Sequence, residues 1–170
     1  MTVRKITQAE LEEWAQMRSR LWPGDDHRPA ILRYFQGKSE DPSVVMLAVA
    51  DDQVVMGHIE LSVRLDFEQS KYGFIEGLYV KPEFRGGAVY REIIKAALRW
   101  SASNGFLSVL ADRGPRLYEI PYSGRPRLVQ QNITEGELHR QYPLMVQQHI
   151  FADDQKRGVE HLPTGLLSKE

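Results

Sequence analysis

The chain has no cysteine, so a disulfide framework, a thiolate zinc site and a cysteine nucleophile are all excluded. It also lacks a charge excess: 22 Lys and Arg stand against 23 Asp and Glu, a formal net charge of −1. With no surplus of cations to offset phosphates, neither nucleic acid nor an anionic membrane is expected as a partner, and a small polar molecule fits better. No apolar run approaches the roughly 20 residues of a spanning helix. The opening Met1 to Trp14 lacks the apolar core of a signal peptide, so the expectation is a cytoplasmic protein. What is present, 170 residues at 42% hydrophobic, suffices for one substantial core and is short for two. No internal repeat is visible.

Thr2 to Ile6 alternates as a short strand, and Thr7-Gln8-Ala9-Glu10 reads as a capping box. Leu11, Trp14, Ala15, Arg18 and Leu21 follow at helical spacing until Trp22-Pro23-Gly24 breaks the pattern. Ala30 to Gln36 predicts a second short helix, and Gly37 to Ser43 a loop. Val44 to Ala50 and Val54 to Arg64 are β-rich runs joined by Asp51-Asp52-Gln53, which is hairpin spacing. Tyr72 to Val80 predicts the next strand. Ala88 to Ser103 predicts a helix with Val89, Ile93, Ala97 and Trp100 on one face, and Asn104-Gly105 ends it. Phe106 to Ala111 then reads as a strand, parallel to the one before the helix. Beyond Asp112 periodicity fades: five of the nine prolines and three of the five histidines lie in the last 58 residues. Gly114-Pro115, Ile120-Pro121 and Arg125-Pro126 read as loop, Glu135 to Asp154 contains helix broken near Pro143, and Lys156 to Glu170 is a polar tail.

The segment Phe74 to Arg91 runs from a strand through Pro82 into a Gly-rich turn that opens the long helix. Helix-opening N–H groups have no partner inside the helix and sit at the positive end of its dipole, so the turn is built to meet an anion. Glu76, between Ile75 and Gly77 in an apolar strand, is costly to bury alone, which favours a functional carboxylate over one that simply faces solvent. Asp112 follows a strand, where turn capping is the competing reading. His27 and His58 have no partner at metal-ligand spacing, and His139, His149 and His161 are too dispersed for a zinc pattern, so no metal is expected. Ser62 and Ser123 lack a nucleophile elbow.

Leu21-Trp22-Pro23-Gly24 with the acidic loop Asp25-Asp26-His27, Phe74-Ile75-Glu76-Gly77-Leu78-Tyr79-Val80, and Pro82-Glu83-Phe84-Arg85-Gly86 occur in one order. In these motifs the first 112 residues resemble the GCN5-related N-acetyltransferase (GNAT) superfamily, and within it the bacterial aminoglycoside 6'-N-acetyltransferases. The resemblance implies an α+β fold, a mixed and mostly antiparallel sheet flanked by helices. That sheet splays near a bulge in its fourth strand, where acetyl-CoA lies. It implies pantetheine contacts from Leu78, Tyr79 and Val80, and a pyrophosphate turn from Arg85, Gly86, Gly87, Ala88, Val89, Tyr90 and Arg91. Trp22, His27, Asp66, Phe67 and Glu76 are the implied substrate contacts, with Phe67 standing where tyrosine is common. Asp112 and Glu76 are the implied catalytic carboxylates, one of them taking a proton from the 6'-ammonium before direct transfer. Tyr118 and Tyr122 are candidates for the acid that reprotonates the thiolate, against a packing role. A homodimer is implied because family members are often dimers.

The sequence departs from the family in two places. Ungapped alignment of the turn puts Ala88 where the family has glycine and Tyr90 where it has a small residue, which predicts weakened CoA binding. The division expected is a core over 1–112 and a divergent segment over 113–170, loop-rich with some helix, either frameshifted or rebuilding the missing wall of the cleft with Glu135 to Asp154. Besides the 6'-N-acetyltransferase, two other functions stay open. One is a non-catalytic binding module with a degenerate core. The other is an acetyltransferase for a polyamine, peptide N-terminus or protein lysine.

Overall fold

The runs flanking Asp51-Asp52-Gln53 form the expected hairpin, β2 (Val44–Val49) antiparallel to β3 (Val55–Leu65). A computed structural model describes residues 1–39, 41–122 and 125–145. All six β2 residues are buried, because helices cover both faces: Val44, Met46 and Ala48 meet one core, Val45, Leu47 and Val49 the other. β1 (Thr2–Lys5) flanks β2 antiparallel, and β4 (Lys71–Val80) flanks β3 antiparallel.

The long amphipathic segment is α3 (Ala88–Ser103), whose Val89, Ile93, Ala97 and Trp100 pack on one sheet face. It carries the chain to β5 (Ser108–Arg113), which pairs parallel with β4. Phe106, expected in that strand, instead plugs the turn before it and packs edge-on against Trp100. On the other face lie α1 (Leu11–Leu21) and α2 (Arg28–Phe35), burying Trp14, Ile31 and Tyr34 over β2. Each such side chain contributes about 1.5–3 kcal/mol. The capping box holds: the Thr7 N–H donates to Glu10 Oε2 at 2.8 Å, ahead of a single 3₁₀ turn that leads into α1. The second helix starts earlier than expected because Pro29 sits in its first turn, where a missing N–H costs nothing.

The segment read as loop from Gly114 to Pro126 contains a strand. Gly114, at φ 57°, closes a tight hairpin between β5 and β6 (Arg116–Pro121), with Leu117 and Ile120 buried. Pro115 and Pro121 flank the strand or end it and do not interrupt it, which is where prolines are tolerated. β7 (Arg127–Gln130) pairs antiparallel with β6, and α4 (Glu135–Gln141) follows with a second capping box at Thr134. Phe74, Leu110, Leu117, Ile133 and Leu138 form a third small core there. The sheet therefore continues beyond β5, and among the described residues seven strands run in chain order β1 to β7, with β4 and β5 paired in parallel. No described helix is long and apolar enough to cross a membrane. The tail Lys156–Glu170, the part of Glu135–Asp154 beyond Met145, and Ser123 lie outside the described residues.

Candidate active site

The site is organised by one extra residue in β4. Glu60 pairs with Gly77 and Leu61 with Ile75, so Glu76 has no partner across the ladder and forms a bulge. Ile75 faces the α3 core, whereas Glu76 and Gly77 both turn toward α1. Glycine is required at 77 by close approach: a Cβ there would lie 2.6 Å from Trp22 Cη2 and 3.0 Å from Leu21 Cδ2. Past the bulge the sheet opens. β4 and β5 pair only over Gly73–Ile75 and Val109–Ala111, and a cleft of about 840 Å³ follows, walled by Leu78, Ile94, Ala111, Tyr118, Ile120 and Tyr90.

Where β4 ends, a second cavity of about 540 Å³ is lined by Leu78, Tyr79, Val80, Arg85, Gly86, Gly87 and Tyr90. Gly86 (φ 141°) and Gly87 (φ 97°) occupy backbone conformations that other residues rarely adopt. The first α-helical bond runs from the Arg91 N–H to the Gly87 carbonyl, and no side chain among the described residues caps the helix start. Among the described residues the N–H groups of Ala88, Val89 and Tyr90, the orphan donors of the first turn, have no hydrogen-bond partner. Ala88 lies in the helix, outside the left-handed region, so the backbone strain expected for a non-glycine there does not arise. The Val89 side chain is buried in the α3 core and only its backbone reaches the turn. Tyr90 is 47% exposed and lines both cavities. The Arg85 Nε donates to the Val80 carbonyl at 3.0 Å, and its guanidinium covers the Tyr79 ring.

At its other end the cleft meets a pocket of about 290 Å³ lined by Arg18, Trp22, Asp41, Glu60, Arg64, Glu76, Asp112, Glu135 and His139. Trp22, Glu76 and Asp112 line both. Arg64 Nε and Nη2 donate to the two Glu76 oxygens, each at 2.8 Å. Burial, opposed by that bidentate pair, pushes the Glu76 carboxyl up to about 7. Burial also raises Asp112, which has no ion-pair partner among the described residues, and Asp41, which accepts from Ser62 Oγ at 2.8 Å. Burial works against the charge of Glu60 as well, yet His58, Arg18 and the Trp14 indole N–H, 2.7 Å away, together hold it below the usual carboxylate range.

These polar partners come from alternate positions of β3. His58, Glu60, Ser62 and Arg64 are buried on the α1 face, while Ile59, Leu61 and Val63 meet the α3 core. That period-2 alternation was present in the sequence and is the signal by which Arg64, Glu60 and Ser62 could have been found. Asp41, contributed by the loop before β2, carried no such signal.

Trp22, Glu76 and Asp112 come together, as do Leu78, Tyr79, Val80, Arg85, Gly86, Gly87 and Tyr90, whereas Ala88 and Val89 line neither cavity. The Arg91 side chain packs beside Gly87. His27 does not reach the junction. It is buried, with Nε2 2.8 Å from the Trp22 carbonyl, and holds the backbone that presents Trp22. Asp66 is spent inside the β3–β4 turn, accepting from the N–H groups of Glu68 and Ser70, and Phe67 is 83% exposed at that turn. Neither lines the cleft or the acidic pocket. Tyr118 lines the cleft, whereas Tyr122 is exposed and does not. Among the described residues no group of three His, Cys, Asp or Glu is placed to hold a metal ion.

A half-splayed sheet, a bulged fourth strand and an uncapped helix start at a Gly-Gly turn are the marks of one class of protein. The chain belongs to the acetyltransferase (GNAT) family, whose model matches residues 9–119. Among curated relatives it is 34% identical over 116 residues to the aminoglycoside N(6')-acetyltransferase type 1 of Klebsiella aerogenes, covering 65% of this chain and 76% of that one. The enzyme of the same name from Stenotrophomonas maltophilia is 33% identical over 115 residues, covering 65% and 74%. Among solved structures, AAC(6')-Iy in complex with the bisubstrate analogue CoA-S-monomethyl-acetylneamine superposes with a TM-score of 0.58 at 30% identity, covering 67% of this chain and 80% of that one.

Proposed function

We propose that this chain transfers an acetyl group from acetyl-CoA to the 6'-amine of an aminoglycoside. The observation that carries the reading is the meeting of the β4–β5 cleft with the acidic pocket at Trp22, Glu76 and Asp112. The residues present fit the co-substrate. Gly86 and Gly87 shape a turn toward which the uncapped helix start points its free N–H groups, as a pyrophosphate requires. Past Ile75, β4 has no strand partner on its β5 side among the described residues, which leaves backbone groups between Leu78 and Val80 open to an extended arm, although the Val80 carbonyl already accepts from Arg85.

Acetyl-CoA, when bound, would supply the acetyl group as a thioester, at whose carbonyl carbon an attacking amine displaces the CoA thiolate. The acidic pocket supplies the acceptor side: Asp41, Glu60, Glu76, Asp112 and Glu135 outnumber Arg18 and Arg64, so the lining favours a polycation. Asp112, without an ion-pair partner among the described residues, is available to draw an ammonium group to the junction. Glu76, poised near pH 7 and retaining lone pairs beyond the two that Arg64 engages, accepts the proton that frees the amine. Trp22 walls the amine in.

Within this reading the segment after Asp112 is a rebuilt wall: Tyr118, Ile120 and Pro126 line the cleft, and Thr134, Glu135 and His139 line the pocket. A cytoplasmic homodimer belongs to the same proposal, and gel filtration checks the dimer. Tyr90 supports a second reading, a binding module with weak affinity for CoA, because its ring stands between the two cavities where a small residue is usual. Calorimetric titration of acetyl-CoA followed by thiol release with kanamycin or tobramycin separates the two. Binding with turnover supports the enzyme, and the absence of binding overturns it.

A further inference from the structure

We infer that Arg64 is a positioning residue that fixes the Glu76 carboxylate at the junction, and that it is itself held in place by the chain's own C-terminal segment. The inference rests on the acetyl-transfer reading only for its consequence in turnover. The geometry stands apart from it.

Arg64 is 2% exposed, among the largest buried side chains of the protein. Its planar face lies 4.2 Å from the Phe74 ring centroid. Its Nε and Nη2 form a fork onto both Glu76 oxygens, and the remaining Nη1 donates to the Tyr142 carbonyl at 2.9 Å and faces His139 Nδ1 at 3.3 Å. A guanidinium committed on three sides has one orientation, and lysine cannot reproduce a planar fork.

The anchor on the far side belongs to the segment least like the family in sequence. Past Leu61 the β3 strand runs beyond its β2 partner, and Pro143 to Met145 take that place: the Leu65 N–H donates to Pro143 O at 3.0 Å and the Met145 N–H to Val63 O at 2.9 Å. This pairing sets the Tyr142 carbonyl over Arg64 Nη1. The chain of contacts therefore runs from α4 and its exit, through Arg64, to the bulge residue of β4. Glu76 also faces Asp41 from the loop before β2 and Ser62 on β3, and shares its pocket with Glu60 on β3, Arg18 on α1, Asp112 on β5, and Glu135 and His139 on α4. Among these groups Arg64 is the one that contacts both oxygens of Glu76.

The test uses the full chain with Arg64→Lys and Arg64→Met, each read in two ways. The Glu76 carboxylate is titrated by ¹³C NMR, its signal assigned by loss in Glu76→Gln. Separately, kcat and KM for acetyl-CoA and for kanamycin are followed across pH. Removing the fork should raise the Glu76 midpoint by about one unit or more in Arg64→Met and by less in Arg64→Lys. The acidic limb of kcat should move with it, while KM for acetyl-CoA changes by less than about threefold. An unmoved midpoint in both variants, or a loss of kcat uniform in pH with no shift of the limb, overturns the inference. If Arg64→Met does not fold, Arg64→Lys decides on the same readouts. A wild-type chain that titrates as expected but acetylates no aminoglycoside sinks the proposed function and leaves the Arg64–Glu76 assignment to stand or fall on the titration.

Discussion

Gly77→Ala isolates the contact that presents Trp22 to the cleft. The new Cβ would sit 2.6 Å from Trp22 Cη2, where ordinary contact begins near 3.4 Å, so the ring must retreat by the difference, 3.4 − 2.6 = 0.8 Å. It has little freedom to do so. The Trp22 carbonyl is held by His27 at 2.8 Å, and the Arg18 guanidinium covers the ring at 5.1 Å. Overpacking of this kind costs about 1–3 kcal/mol, which for a chain of this size lowers Tm by roughly 3–10 °C. Displacing a wall of the proposed amine site by most of an ångström should lower kcat/KM for an aminoglycoside by about 10- to 100-fold, while acetyl-CoA affinity changes by less than about threefold because the Gly86–Tyr90 turn is untouched. Thermal melts, calorimetry and thiol-release kinetics give the three numbers. Trp22→Phe supplies the decisive background, since phenylalanine lacks the ring that carries Cη2, and the stability cost of Gly77→Ala should largely vanish there. An equal loss of stability in both backgrounds would refute the steric reasoning.

Glu76→Gln and Asp112→Asn should each lower kcat by about 10²-fold or more with acetyl-CoA affinity nearly unchanged, and wild-type kcat in both variants would refute their roles. Because burial raises the folded Glu76 from 4.5 to about 7, its contribution to stability is full below pH 4.5 and is lost as pH rises through 7. The change is about 3 kcal/mol at most. Urea unfolding of Glu76→Gln should show a correspondingly shallower fall over that window, with Asp41 and Asp112 keeping part of the slope. Ala88→Gly should bring no gain in acetyl-CoA affinity and cost up to about 1 kcal/mol, since the alanine is already helical, whereas Tyr90→Ala should tighten binding several-fold. Calorimetry and melts on the two variants check both. Thr134→Ala removes a cap whose Oγ accepts from the Glu137 N–H at 3.1 Å and should cost about 1 kcal/mol.

Much of the fold was legible because its signals are local. The Asp51–Gln53 hairpin, the α3 face and the turn at Arg85 each depend on neighbours in sequence, whereas a bulge in the fourth strand was implied by the resemblance alone and its place at Glu76 came from the structure. What escaped depends on distance. Glu76 announced itself as a carboxylate in an apolar strand, but its partner Arg64 lies on the adjacent strand, and one strand cannot reveal what its neighbour presents. The His58-Glu60-Ser62-Arg64 alternation is present in the sequence, but it lies inside a run whose β-propensity by itself indicates only a strand. β6 was hidden by flanking prolines that mark its ends. Asp66 and Phe67 matched a family position, yet in this chain they sit at a hairpin turn outside the cleft and the pocket.

The most direct test of the account compares two aminoglycosides matched except at the 6' position, one carrying an amine and one a hydroxyl, each incubated with the full chain and acetyl-CoA while thiol release is followed and the product is mapped by NMR. The account predicts turnover of the amine, with the acetyl group on the 6' nitrogen, and none of the hydroxyl compound. Equal turnover of both, acetylation at another position, or no acetyl transfer to either would contradict it.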